Sequence, residues 1–245
     1  VINPDTVVAD YGADAFRLYE MFMGPLEMMK PWNMEGVAGV YRFLGRVWRL
    51  FIDKEALMEF EQAQTVSPEL GLKLMDLIKL DPSISDDEPT PQQQKSLHAC
   101  IKKVTDDLDG MRYNTAISAL MEFVNAATKV DGGLADDQAL RFAILLEPFA
   151  PHLAEEINAL RGGEGELAYA PWPEHDESLL VEKFIEFPVQ VNGKLRSHIT
   201  ISPDTSADEI EKLALANEKI KSFIEGKELK KVIVVPNRLV NIAAK

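Results

Sequence analysis

Residues 36–52 contain no acid, in a chain of 40 acidic and 26 basic residues. Glu35 bounds the stretch on one side and Asp53 on the other. Within it Val37, Val40, Tyr41, Leu44, Val47, Trp48 and Phe51 recur at the spacing of one helix face. Arg42, Arg46 and Arg49 fall together on the opposite face. The pattern predicts a helix over about 36–51 with an apolar side that needs a partner and a cationic side that faces away from it.

Two shorter helices precede it. Asn3 can cap the first, with Pro4 at its first position and Gly12 past its end. The second is expected over about 14–23 and stops at Gly24-Pro25. After the Arg-bearing helix, residues 54–90 are acidic and weakly periodic. Leu70, Leu74, Leu77 and Ile78 suit a short helix, and Asp81-Pro82 and Asp86-Asp87-Glu88-Pro89 break it. An exposed excursion without chemistry is expected there.

From Thr90 the helical pattern returns. Thr90-Pro91-Gln92-Gln93 is a capping box. It opens a helix with Leu97, Ile101, Val104 and Leu108 on one side and Gly110 at its end. Asn114 is a candidate cap for the next helix, whose stripe is Ile117, Leu120, Met121, Val124 and Ala127, with Asp131-Gly132-Gly133 as its stop. Another helix is expected over about 136–147. Pro148 and Pro151 interrupt the pattern, and one more helix reaches about Leu160. Two-sided helices with short links make an antiparallel bundle.

The last stretch reads differently. Val189-Gln190-Val191 and Leu195 to Ile201 flank Asn192-Gly193, a strong hairpin signal. A two-residue loop sets Val191 opposite Lys194, which leaves either a bulge or a longer loop to correct the register. Ser206-Ala207-Asp208-Glu209 is a second capping box, Asn217 starts a further helix and Gly226 ends it. Strands over 232–235 and 239–242 follow, split by Pro236-Asn237. Strand, strand, helix, helix, strand, strand is a compact α+β order. The expected fold class is mainly α: a helical bundle followed by a small α+β domain.

Charge separates along the same lines. Residues 1–32 carry net −3, residues 33–182 net −14, and residues 183–245 net +3. An overall −14 argues against a nucleic-acid binder, but local patches decide where a phosphate backbone can lie. Cys100 is the only cysteine, which excludes an internal disulfide and suits a cytoplasmic protein; a core thiol is the expected role. No apolar run is long enough to span a bilayer as a helix. The N-terminus lacks Met and is expected to lie inside a longer protein.

A family resemblance rests on several of these segments. Val1-Ile2-Asn3-Pro4-Asp5, Tyr11-Gly12-Ala13-Asp14 and Arg17-Leu18-Tyr19 resemble the segment after the KMSKS loop in class I aminoacyl-tRNA synthetases of the Leu/Ile/Val/Met group. The runs Glu20 to Glu27, Lys30 to Asn33 and Arg42 to Leu50 narrow the resemblance to bacterial leucyl-tRNA synthetases. Arg112 to Ile117 and Pro148 to Glu156 are similar to the anticodon-binding domain of the group. One departure is Ile157-Asn158, where the family usually has a Trp. Pro171-Trp172-Pro173 with Asp176 resembles the exit from that domain.

The resemblance implies three parts: 1–32 as the end of a catalytic region, 33–182 as the anticodon-binding bundle, and 183–245 as a small tRNA-binding domain. It implies a parent that joins leucine to tRNA(Leu) with ATP and Mg. The implied partners are that tRNA and the upstream catalytic domain, rather than DNA or a membrane. The HIGH and KMSKS signatures are absent from these residues, so the chain alone is expected to be non-catalytic and to hold no cofactor.

No Gly-rich phosphate loop follows a strand, and no Cys/His cluster has zinc spacing. His98, His152, His175 and His198 are scattered and read as surface or capping residues. Asp106-Asp107 and Glu155-Glu156 read as solvated faces. Binding chemistry remains. Arg42, Arg46 and Arg49 are either a solvated face or tRNA phosphate contacts, and the resemblance favours contacts. Lys194, Arg196, Lys227, Lys230, Lys231 and Arg238 form the cationic set of the last domain, though edge lysines also deter aggregation. Trp32, Trp48 and Trp172 read as core anchors. Two other readings stand beside this one: the matching piece of an isoleucyl-, valyl- or methionyl-tRNA synthetase, and a helical interaction module that binds no RNA.

Overall fold

A computed structural model describes residues 2–66, 78–130, 133–180, 185–202, 205–235 and 238–245. It divides into two compact units, Val1–Leu180 and Val181–Lys245. The first holds α1 (Pro4–Tyr11), α2 (Ala13–Phe22), α3 (Met34–Phe51), α4 (Lys54–Val66), α5 (Pro91–Asp109), α6 (Tyr113–Ala127), α7 (Asp136–Leu146) and α8 (Pro151–Leu160). The mainly α class expected from the sequence is what the chain adopts.

Caps set most of these boundaries. The Asn3 side chain accepts from the Asp5 N–H, Asn33 does the same for Glu35, and Thr90 and Gln93 form the expected reciprocal box. Asn114 does not cap α6. Arg112 is the residue before the helix, and Asn114 lies inside it. The link from Gly110 is so tight that Met111 takes φ 54°, the left-handed region a side chain rarely adopts.

One core fills this unit. Leu18 of α2, Val37, Val40, Phe43 and Phe51 of α3, Ile101 and Val104 of α5, Leu120 and Phe123 of α6, and Phe142 and Leu145 of α7 are all buried in it. Phe142 joins three helices: its ring centroid lies 5.9 Å from Phe51 and 4.9 Å from Phe123. On α3, Phe43 takes the inward place and Tyr41 is 51% exposed, a correction of one position to the expected stripe. Tyr41 and Phe43 lie on opposite flanks of the same apolar arc, and the flank that the bundle covers is that of Phe43.

The acidic segment after α3 is tied down more than its composition suggested. Its helix is α4, at 54–66, and the expected one at Leu70, Leu74 and Leu77 lies outside the described residues. Beyond that gap, Ile52 and Leu80 pair as an antiparallel bridge. Asp81 N–H donates to the Phe51 carbonyl at 2.8 Å, and Asp81 Oδ1 accepts from Ser83 N–H and Oγ. Ser85 pairs with Ala135 at the entry to α7. The reason is Ile78, buried in the bundle core, which anchors an otherwise polar stretch.

The second unit holds β1 (Ile185–Val191), β2 (Lys194–Ile201), α9 (Ala207–Ala216), α10 (Glu218–Ile224), β3 (Leu229–Val235) and β4 (Leu239–Ala244). The sheet order is β2-β1-β4-β3, with β1 and β4 parallel and the other pairs antiparallel. Asn192 and Gly193 take φ 51° and 75°, the positive pair a two-residue hairpin turn demands. Val191 does pair with Lys194, and the register is corrected by a bulge opposite Val189 and Gln190, with Arg196 as the extra residue. Ile210, Ala214 and Ile220 of the helices cover Phe187, Val189, Ile199, Val240 and Ile242. The stop at Asp131-Gly132, the turn at Pro236-Asn237 and the join near Glu182 lie outside the described residues.

Candidate nucleic-acid interface

The Arg face of α3 is real and open. Arg42, Arg46 and Arg49 are all exposed, on a helix whose other side is buried. Two are pre-positioned. Arg46 Nη1 donates to Asn125 Oδ1 of α6 at 2.6 Å, and its guanidinium sits 5.8 Å from the Phe43 ring centroid. Arg49 Nη1 donates to the Gly45 carbonyl at 3.3 Å. Among the described residues none of the three forms an ion pair with a carboxylate, so their charge is available to an anion.

These arginines form a ridge between two hollows. One, of about 840 Å³, is lined by Tyr41, Trp48, Phe60 and all three arginines, with Glu61 as its one carboxylate among the described residues. The other, of about 470 Å³, brings Arg46 and Arg49 together with Lys54, Ser83 and Thr128, and its one carboxylate among the described residues, Asp81, accepts from Ser83. Donors in rows with aromatic surface beside them suit a phosphate backbone with bases at its edge. A larger hollow, of about 970 Å³, lies over α7 and α8. Its charges are already spent: Arg141 pairs with Asp137 at 2.9 Å, Arg161 Nε with Asp136 Oδ1 at 2.8 Å, and Glu164, Glu166 and Glu174 line it. Volume does not make it the better anion site.

The segments that carried the family resemblance meet in space. Asp14 Oδ2 accepts from the Leu153 N–H at 2.8 Å, and Oδ1 accepts from the His152 N–H at 3.3 Å and faces His152 Nδ1 at 2.8 Å. This buried carboxylate therefore caps α8, where free N–H groups and the helix dipole favour a negative charge. Arg17 Nη2 donates to the Pro148 carbonyl at 3.0 Å. Tyr19 Oη accepts from the Asn33 N–H at 2.9 Å and its ring stands edge-on to Trp32, 4.9 Å away. Ile157-Asn158, the departure from the family, is also built in. Ile157 is buried, and Asn158 Nδ2 donates to the Gly165 carbonyl at 3.2 Å.

Asp107 corrects the expectation of a solvated acid pair. Its side chain is 0% exposed, with Lys103 Nζ 2.7 Å from Oδ2 and Arg112 Nε 2.8 Å from Oδ1. Burial pushes its carboxyl up, but the hydrogen bonds of Lys103, Thr115 and Arg112 outweigh that and hold it below the usual carboxylate range. Arg112 also donates to the Asp106 carbonyl at 2.6 Å, so the two residues lock the α5–α6 turn. Among the histidines, His98 Nδ1 accepts from the Asp176 N–H at 2.9 Å. Burial first, then Arg141, lowers its basicity. His175 lies 3.2 Å from Glu177. Burial pushes the Cys100 thiol far up, as suits a core residue.

In the second unit all six expected cations are exposed. The strand pairings place Lys194, Arg196, Lys230 and Lys231 at one end of the sheet, with Lys227 in the turn leading to β3. Arg238 is at the other end, before β4. Since β2 and β3 are opposite edges, the cations at the shared end straddle the sheet, roughly 14 Å wide at ~4.8 Å per strand. Arg196 lies over the Phe223 ring at 4.5 Å, and Lys227 Nζ donates to the Phe223 carbonyl at 2.8 Å.

Residues 94–212 match the model of the anticodon-binding domain of tRNA ligase, a span from α5 into α9. A leucine–tRNA ligase of Rhodopirellula baltica is 44% identical over 246 aligned residues, covering 100% of this chain and 24% of that protein. Over its whole length the chain is similar to one part of a leucine–tRNA ligase. It spans about a quarter of the length of that relative. A crystal structure of a ternary complex of Agrobacterium radiobacter LeuRS, tRNA and LeuAMS is also similar. Identity is 31% and the TM-score 0.64, covering 100% of this chain and 30% of that one. The leucine branch of the class I group, singled out by residues 20–50, is thus favoured over its isoleucine, valine and methionine counterparts.

Proposed function

We propose that this chain is the tRNA-docking portion of a leucine–tRNA ligase, whose whole length charges tRNA(Leu) with leucine at the expense of ATP. The observation that carries the reading is the arginine ridge of α3, which forms no ion pair among the described residues, in a chain similar along its whole length to part of such a ligase. On this reading Arg42, Arg46 and Arg49 hold tRNA phosphates, and Asn125 and Phe43 fix Arg46 in advance. Ordering a long side chain before the ligand arrives reduces the entropic cost of binding. Residues 1–32 are then the end of the catalytic region, 33–182 the anticodon-binding bundle, and 183–245 a tRNA-binding domain that uses Lys194, Arg196, Lys227, Lys230, Lys231 and Arg238. The parent works in the cytoplasm.

ATP and Mg belong to the parent's catalytic region, where ATP would supply the adenylyl group that activates leucine, with pyrophosphate leaving. Among the described residues no three His, Cys, Asp or Glu side chains are grouped to hold a metal ion, and no step is assigned to these residues through either group. Their work is to bind and orient RNA. A gel shift with bulk tRNA tests this. The 245-residue chain retards tRNA at low salt, and the variant R42Q/R46Q/R49Q does so at several-fold higher protein concentration. A chain that fails to shift tRNA would point instead to a helical interaction module without RNA.

A further inference from the structure

The hollow over α7 and α8, a poor place for an anion, is lined for the opposite charge. Its floor is apolar, formed by Leu140, Ile144 and Leu167. Two aromatic side chains of its lining stay accessible, Tyr169 at 85% exposure and Trp172 at 36%. Trp172 is fixed there, since its Nε1 donates to Thr105 Oγ1 of α5 at 2.8 Å. The loop after α8 is fixed too: Gly163 N–H donates to the Asn158 carbonyl at 2.9 Å, and Leu167 N–H to Glu155 Oε1 at 2.7 Å. The decisive atom is Asn158 Oδ1. Asn158 is only 5% exposed, and its Nδ2 is engaged by the Gly165 carbonyl. Among the described residues Oδ1 accepts no hydrogen bond, and it lies where a Cβ of Gly163 would stand, on the wall of the hollow. A buried acceptor without a donor calls for a ligand that brings an N–H.

We infer that this hollow is a binding site for an aliphatic polyamine. An ammonium group donates to an amide oxygen and to carboxylates and sits over aromatic rings, and the hollow offers all three. Glu164, Glu166 and Glu174 form no ion pair among the described residues, and the two arginines of the lining are occupied by Asp137 and Asp136. Acids on two separate segments suit several charges spaced along a chain better than one compact ion. Among the described residues no three His, Cys, Asp or Glu side chains are grouped to hold a metal. Two accessible rings are far less than the roughly 800 Å² that a protein partner covers, so a small ligand is the better occupant. A hollow of about 970 Å³ lies within the usual span of small-molecule sites, about 300–1,000 Å³. It shares no residue with the arginine ridge, so the site stands whether or not that ridge binds RNA.

Calorimetric titration of the 245-residue chain with spermidine, at low salt and without RNA, tests it. Spermidine should bind saturably at a single site. The variant E164Q/E166Q/E174Q, altered only at exposed positions, should bind it roughly tenfold more weakly. The variant E55Q/E59Q/E122Q removes the same charge from exposed positions on α4 and α6 and should bind it as the wild type does. Absence of saturable binding would overturn the inference. So would equal weakening in the two variants, because spermidine would then answer only to net charge. Tighter binding of acetyl-trilysine amide, of equal charge, would overturn it by making a protein segment the occupant. Saturable binding of magnesium chloride that E164Q/E166Q/E174Q abolishes would overturn it by making the hollow a metal site.

Discussion

Asp107 shows how much a single residue contributes that its neighbours in sequence conceal. Beside Asp106 it looks like half of a solvated pair, yet it is fully covered and holds Lys103 and Arg112 across the α5–α6 turn. Replacing it with Ala should cost about 1.5–3 kcal/mol at pH 7, the range for hydrogen bonds to charged groups, read by urea unfolding. Its carboxyl is held below the ordinary value of 3.8, so the stability it contributes is present above that pH and is lost as pH falls further. The gap between wild type and D107A should therefore shrink below about pH 4. His98 is the mirror case. Folding favours its neutral form, so its contribution is complete above 6.5 and declines as pH drops from there toward the folded-state value. Unfolding midpoints of wild type and H98N should converge between pH 7.5 and 5. Neither Asp107 nor Asp14 was legible as a buried partner. A carboxylate's acceptors can be counted from sequence, but its donors lie 138 and 139 residues away in the case of Asp14.

At the scale of elements, α3 was the most legible part, because a long two-sided helix states both its faces at once. The capping boxes at Thr90 and Ser206 and the Asn192-Gly193 hairpin were equally readable, since each is a local bargain between side chain and backbone. The periodicity missed a long-range contact, Ile78 anchoring a polar segment, and a local one, the Asp107–Arg112 pair that makes Arg112 rather than Asn114 lead α6. The N-terminal end of α3 offers a test of its packing. A Cβ built at Gly36 would stand 2.4 Å from Tyr19 Cε2, inside any permitted contact. Tyr19 is itself held by the Asn33 N–H and Trp32, so it has little room to move. Gly36→Ala should destabilise the bundle by about 1–3 kcal/mol despite the better helix propensity of alanine, measured by thermal or urea unfolding. An unchanged midpoint would mean that the Tyr19 ring can swing aside.

For the whole molecule, charge and fold divide the labour. The bundle is strongly acidic, so on the proposed reading RNA is drawn by cations that pair with no carboxylate among the described residues: those of the α3 ridge and of the basic end of the small sheet. The candidate cations were readable because exposed Lys and Arg need no fold to be recognised. Their grouping was not, since only strand register shows that Arg238 stands apart from the other five. Removing residues 183–245 from the full-length protein should weaken tRNA binding and flatten its salt dependence while leaving leucine activation intact. Two coincident salt curves would reduce that unit's charge to a solubility device. The central claim is that the arginine ridge holds tRNA phosphates, and a salt series on the 245-residue chain tests it most directly. The wild-type plot of log affinity against log salt should be steeper than that of R42Q/R46Q/R49Q by about 2–3, at 0.7–0.9 per lost phosphate contact, with stability changed by less than about 1 kcal/mol. Parallel lines of equal affinity, or a variant that binds tRNA normally but unfolds early, would contradict it.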